Sequence, residues 1–234
     1  KEYLEDKTIK TDQFFDMIAK TDSVSTSQPS RFTLEETWNK LLEEYENIIY
    51  IPITSGLSGS CQNAIEYAKQ YNGRIFVVDN LRISVALKTC IYEALKMIEL
   101  GISVADIVKY LNDTKNKFSI YLTLTTLKYL RKGGRITPAA AIIGDMLKLK
   151  PILCSRGQNF DKTAIALTLP QAKKKMIAEI KKELETEFKE EYEQGKMTLS
   201  IAYTTLSSDE IEKFKEEVMI AFPKVKIMFT DPLC

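Results

Sequence analysis

Three short stretches carry side chains that could do chemistry together. Thr26-Ser27 sits in a polar segment, Thr54-Ser55-Gly56-Leu57-Ser58-Gly59-Ser60 follows an apolar run, and Lys132-Gly133-Gly134-Arg135 forms a basic turn. Brought to one place, they would hold a single anionic group with several hydroxyl, backbone and guanidinium donors. The middle stretch is the most informative. Ile48 to Ile53 is apolar and of strand length, and from Cys61 to Tyr71 the residues Ala64, Ile65 and Ala68 recur at helical spacing. A strand, tight turn and helix in that order point free N–H groups and the positive helix end at one spot, which suits a phosphate or a carboxylate. An ordinary strand-to-helix loop whose serine caps its helix has the same sequence signature, so both readings stand at this point.

Familiar catalytic patterns do not fit. The turn lacks the Gly-x-x-x-x-Gly-Lys-Ser/Thr of a phosphate-binding loop, and Gly56-Leu57-Ser58-Gly59-Ser60 ends in serine where a nucleophile elbow needs glycine. The chain contains no histidine, which removes Ser-His-Asp and Cys-His chemistry and the usual zinc sites from these residues. Arg135 can face a phosphate, a partner protein or solvent. Asp79, alone after a strand, fits a cap on the next helix better than a metal ligand.

The elements that must position these groups follow from pattern. Thr11 or Asp12 can cap a short helix carrying Phe14, Phe15 and Ile18, and Thr33 with Glu36 reads as a capping box for a helix to about Tyr45. Arg74 to Asp79 is a second strand, followed by helices at about Ile83–Glu99 and Ser103–Lys115 with Gly101 between them as a helix stop. That order argues for an open, mostly parallel α/β sheet with its site at the strand C-termini. Beyond Lys115 the pattern changes. Strands at Phe118–Thr125, Pro151–Ser155 and Thr163–Leu167 flank short helices and a Gly157-Gln158-Asn159 turn. A charged helix, two more strands and one more helix complete the chain. The expected fold is α/β with two domains. Residues 1–115 form the parallel α/β domain, and residues 116–234 an α+β domain on a largely antiparallel sheet.

At 234 residues, 44% hydrophobic and 28% charged, the composition is that of a globular protein. With 33 basic and 32 acidic residues there is no general pull towards nucleic acid, and no apolar run is long enough for a membrane span. The four dispersed cysteines read as reduced thiols, and the expected location is the cytoplasm.

Five segments together resemble the DegV family. They are Thr26-Ser27-Gln28-Pro29-Ser30, Thr54 through Ser60, Val78-Asp79-Asn80 followed by Ser84, Leu130 through Ile136, and Ile143 through Leu153, recurring in order over most of the chain. The resemblance implies a fatty-acid-binding protein with an apolar tunnel between its two domains and no catalytic residue, metal or cofactor. It places Thr26 and Ser58 on the fatty-acid carboxylate, with Ser27, Ser55 and the Gly59 N–H nearby. Arg135 would stand near the mouth, facing a separate ATP-dependent fatty-acid kinase or the acyl phosphate that the kinase forms. Candidate walls are Phe14, Phe15, Phe118, Ile142, Ile143, Met146 and Leu147. The same resemblance predicts an earlier strand with an Asp-Ser segment and a later histidine-containing segment, so the chain reads as a piece lacking both ends. The competing expectation is an enzyme acting on a small phosphate or carboxylate ester through the serine turn.

Overall fold

The computed structural model describes Tyr3 and residues 8–21, 24–142 and 149–232. By its contacts the chain groups into two compact units, Ser27–Met176 and Lys1–Thr26 with Ile177–Cys234.

The larger unit opens with α2 (Arg31–Leu41), which follows α1 (Thr11–Ala19) of the smaller one. Its cap is Ser30, whose hydroxyl accepts the Thr33 N–H at 3.1 Å. The expected cap, Thr33, instead lies inside the first turn, because the helix starts directly after Pro29-Ser30, with its cap three residues earlier than the Thr-x-x-Glu pattern suggested. The buried face of α2 sets Leu34 and Trp38 against Ala64 and Ile75. The Trp38 ring meets Tyr50 and Tyr71 edge-on, with centroids at 5.4 and 5.6 Å. Such pairs add about 0.5–1.5 kcal/mol beyond the area they bury.

β1 (Ile48–Tyr50) and β2 (Ile75–Val77) pair in parallel, Ile48 against Ile75 and Tyr50 against Val77. β1 ends there because Pro52 has no N–H to give a ladder. Between them runs α3 (Ser60–Ala68), and after them α4 (Ser84–Glu99) and α5 (Val104–Asp113). Gly101, at φ +72°, ends α4 in the left-handed conformation that glycine adopts without penalty. Val78, Cys90, Ala94, Ile107 and Leu111 form the core between these elements.

β3 (Ile120–Thr123), α6 (Lys128–Gly133), α7 (Pro138–Ala141), β4 (Lys150–Ser155) and β5 (Asp161–Ala166) follow. The strands form an antiparallel sheet in the order β3-β4-β5, with a bulge at Ile152–Leu153. The fold is therefore mixed α/β with both parallel and antiparallel sheets. Leu127, Ile136, Ala140, Leu153 and Phe160 fill its second core.

In the smaller unit the latter part of α8 (Leu169–Thr186) joins α9 (Lys189–Glu193), β6 (Thr198–Tyr203), α10 (Ser208–Ala221) and β7 (Lys226–Pro232). β6 and β7 pair in parallel, as a strand–helix–strand unit requires. Ser207 and Glu210 form a capping box at the start of α10. Among the described residues, no helix is long and apolar enough to cross a membrane.

Candidate functional site

The serine turn runs from Thr54 to the start of α3, and its amides can be accounted for one by one. Thr54 is fully buried, and its carbonyl accepts the N–H groups of Leu57 and Ser58, both at 3.2 Å. Its hydroxyl accepts the Gly56 N–H at 3.2 Å and donates to the Gly157 carbonyl at 2.6 Å. The Ser55 N–H goes to Asp79 Oδ1 at 3.3 Å, and the Ser60 N–H to Ser58 Oγ at 3.2 Å. Thr54 is thus the internal frame of the turn. Gly59, the residue before α3, has no acceptor for its N–H among the described residues. The first-turn amides of Cys61 and Gln62 are of the kind a helix start leaves unpaired. Ser58 is half-buried, and Ser60 Oγ is buried without a hydrogen-bond partner among the described residues. The donors left over among the described residues therefore collect at Ser58, Gly59 and the first turn of α3.

Two close approaches fix this geometry. A Cβ on Gly56 would collide with the Gly157 carbonyl oxygen and stand 2.8 Å from Gln158 Oε1. A Cβ on Gly157, at φ +91°, would stand 2.7 Å from Leu81 Cβ. Ser155 Oγ closes the same small turn, donating to the Gln158 carbonyl at 2.5 Å and accepting the Gly157 N–H at 3.2 Å. The 155–158 turn of the antiparallel sheet is thus a second wall of the site. In sequence it reads only as a hairpin turn, because nothing local indicates that its carbonyl meets a residue 103 positions earlier.

Asp79 departs from its expected role. α4 begins without a side-chain cap, and Asp79 Oδ1 instead accepts the N–H groups of Ser55 and Leu81, both at 3.3 Å. The next residues tie this loop down. Asn80 Nδ2 donates to the Leu111 carbonyl at 2.5 Å, Arg82 Nη2 to the Thr114 carbonyl at 3.2 Å, and the Arg82 carbonyl accepts the Thr54 N–H at 3.1 Å. Leu81 and Ser84 take positive φ, at +60° and +52°, a conformation that costs a non-glycine residue about 1–2 kcal/mol. Bonds on both sides hold it.

The other site residues named from sequence fall as follows. Arg135 is exposed, with Nε donating to the Leu57 carbonyl at 3.1 Å and Nη1 to the Gly133 carbonyl, so the basic turn does meet the serine turn. Gly134, at φ +71°, makes the left-handed step that ends α6 in front of it. Thr26 and Ser27 are exposed on irregular chain ahead of α2. Gln28, one residue further, reaches the serine turn, with its Oε1 3.6 Å from where a Gly59 Cβ would stand. Of the expected walls, Phe118 is buried under the Arg82 guanidinium, 5.5 Å from its ring centroid, while Ile142 is 69% exposed. Phe14 and Phe15 are half-buried and touch edge-on. Ile143, Met146 and Leu147 lie outside the described residues.

The electrostatics at Cys61 do not suit a thiolate nucleophile. Burial, with a smaller contribution from the Asp79 charge, pushes the Cys61 thiol at the start of α3 up to about 11. It stays protonated at neutral pH. Among the described residues no group of histidine, cysteine, aspartate and glutamate could hold a metal ion.

Comparison with known proteins agrees with this architecture. A DegV domain-containing protein of Staphylococcus aureus (strain N315) is 30% identical over 150 residues, which is 64% of this chain and 54% of that protein, so the match spans about half the relative's length. The solved structure of DegV, a fatty-acid-binding protein from Bacillus subtilis, superposes with a TM-score of 0.77 at 25% identity, covering 98% of this chain and 79% of that one. A stearic-acid-binding protein from Eubacterium ventriosum gives 0.83 at 23% identity, covering 96% and 77%. The profile of the DegV family, described as uncharacterised proteins, matches residues 1–232, and the chain belongs to that family.

Proposed function

We propose that this protein binds a long-chain fatty acid, with the carboxylate at the serine turn and the acyl chain in an apolar tunnel. The observation that carries the reading is the convergence of the Ser58 hydroxyl, the Gly59 N–H and the unpaired amides of α3 on a turn with no charged residue of its own. A carboxylate taken out of water needs such donors, since leaving it unpaired costs several kcal/mol or more. Thr26, Ser27 and Ser55 complete the polar end, and Arg135 marks its rim. The likeness to solved fatty-acid-binding structures supports the same guest. In this reading the protein is a carrier, and it presents the acid to a separate ATP-dependent kinase at the Arg135 side.

The test is native mass spectrometry of the purified protein, followed by solvent extraction. A stoichiometric mass excess released as a fatty acid is expected. Each buried CH₂ contributes about 0.8 kcal/mol, enough for a long chain to survive purification. Ser58→Ala should weaken retention about tenfold, the worth of one hydrogen bond to a charged group. A protein that is empty and also refuses added fatty acid would refute the reading.

A further inference from the structure

Ser60 carries a hydroxyl that the fold leaves unused. It is the first residue of the nine-residue helix α3, it is only 6% exposed, and its Oγ is buried with no hydrogen-bond partner among the described residues. Buried polar groups are normally paired, so an orphan calls for a reason. The usual outlet for a helical serine is the carbonyl four residues back. For Ser60 that residue is Gly56, which belongs to the turn and not to the helix. One turn further along the same face stands Ala64, fully buried among Leu34, Trp38 and Ile75, whose side chains offer no acceptor. The direction of the side chain points elsewhere. Cα–Cβ bonds in a helix tilt towards its N-terminus, so a side chain in the first turn overhangs the residues before it, here Ser58 and Gly59. Ser58 Oγ already accepts the Ser60 N–H at 3.2 Å, which leaves its own proton for an acceptor elsewhere.

We infer that Ser60 is a head-group ligand, its hydroxyl donating to the guest's carboxylate from the buried side of Ser58 and Gly59. This rests on the serine turn being the anion site, as proposed above. An ionised carboxylate only accepts, and its two oxygens have room for all three donors of these consecutive residues. The Ser60 hydroxyl is also a strong donor for its kind. It is already out of water, so no hydration is stripped from it on loading, and in surroundings of low dielectric its bond to a charge is strengthened. The empty protein bears the cost of the orphan, and the loaded protein is relieved of it. Stability given up in the empty state thus returns as affinity, the exchange expected where function requires a locally unfavourable group.

The experiment compares the natural chain with Ser60→Ala, both stripped of lipid, by two measurements: the dissociation constant for dodecanoate and the melting temperature of the empty protein. Alanine is the better helix former and removes the orphan, so the empty variant should melt at the same temperature or slightly higher. Dodecanoate should bind about 10–100-fold more weakly, the worth of one hydrogen bond to a charged group. A merely structural role cannot give that pair of results. Were the hydroxyl holding the fold together, for instance through a bound water, the empty variant would melt lower. A lower melting temperature therefore overturns the inference even where affinity falls, and so does a dissociation constant that is unchanged or tighter. Ser60→Cys, similar in shape but a weak donor, should also lose most of the affinity. A cysteine variant that binds like the natural chain would show that space and not the proton matters, and would count against the inference. A natural chain that takes up no dodecanoate would instead sink the proposed function itself. A natural chain that binds it no better than Ser60→Ala does sinks only the role of Ser60.

Discussion

Replacing Thr54 with valine tests whether the serine turn is framed from inside by one hydroxyl. Valine matches threonine in shape, so the perturbation is close to the exchange of one hydroxyl for one methyl. Two bonds vanish: the donation to the Gly157 carbonyl at 2.6 Å and the acceptance from the Gly56 N–H at 3.2 Å. Gly157 is buried and Gly56 half-buried, so neither orphaned group regains water freely. Each costs about 1–3 kcal/mol when left unpaired. The added methyl recovers about 0.8 kcal/mol, leaving a net loss of about 1–5 kcal/mol. At about 2–4 °C per kcal/mol for a chain of this size, the melting temperature should fall by roughly 2–20 °C. Differential scanning calorimetry on Thr54→Val and Thr54→Ser reads this directly. Serine keeps the hydroxyl and loses only a methyl, so it should fall by much less. A Thr54→Val protein melting within about a degree of the natural chain would refute the framing argument. So would a serine variant that falls as far as the valine one.

Gly56→Ala should destabilise by about 1–3 kcal/mol, because the new Cβ meets the Gly157 carbonyl, which is backbone and cannot step aside. Gly73→Ala, with nothing within 4 Å of its Cβ position and only a φ of +78° against it, should cost about 1 kcal/mol, and chemical denaturation ranks the two. The pH dependence has a defined sign. Burial raises the thiols of Cys61 and Cys90 to about 11, so the folded chain keeps protons that the unfolded chain has already released. The stability they contribute is complete below about pH 8.5 and is lost as pH rises towards about 11. The urea midpoint should fall through that window, and the Cys61→Ala/Cys90→Ala chain should fall less steeply. Parallel slopes for the two proteins would contradict the assignment.

What sequence made legible here is what short-range pattern encodes. The strand, serine turn and helix around Thr54–Ser60 are visible because apolar periodicity and small-residue turns are local. Lys132-Gly133-Gly134-Arg135 is readable as a basic turn, and Gly101 as a helix stop. Hidden from sequence were the residues whose roles depend on distant partners. Thr54 looks like one more ligand hydroxyl until the Gly157 carbonyl is placed against it. Asp79 looks like a helix cap until α4 is found to start five residues later without one. Leu81 carries no sign at all of its left-handed backbone, since leucine rarely adopts it and only the packing of Gly157 and the Asp79 carboxylate demands it.

These hidden contacts share one logic. Among the described residues, three charges near the turn are already committed to neutral or opposite partners: Arg82 to Glu93 and the Thr114 carbonyl, Arg135 to two carbonyls, Asp79 to two amides. What faces the proposed guest, among the described residues at the helix start, is then a set of amide and hydroxyl dipoles. A buried cation would have bound an anion more strongly, but it would have to be stripped of water both before loading and after release, at a cost that can exceed the attraction gained. Fixed dipoles avoid most of that cost, because the backbone has already oriented them. A carrier must load and unload the same guest, so it gains from a clamp that is well oriented and only moderately strong, with the acyl chain supplying the rest of the affinity. The rigid frame of Thr54, Gly56, Leu81 and Gly157 is what lets so weak a set of donors act together.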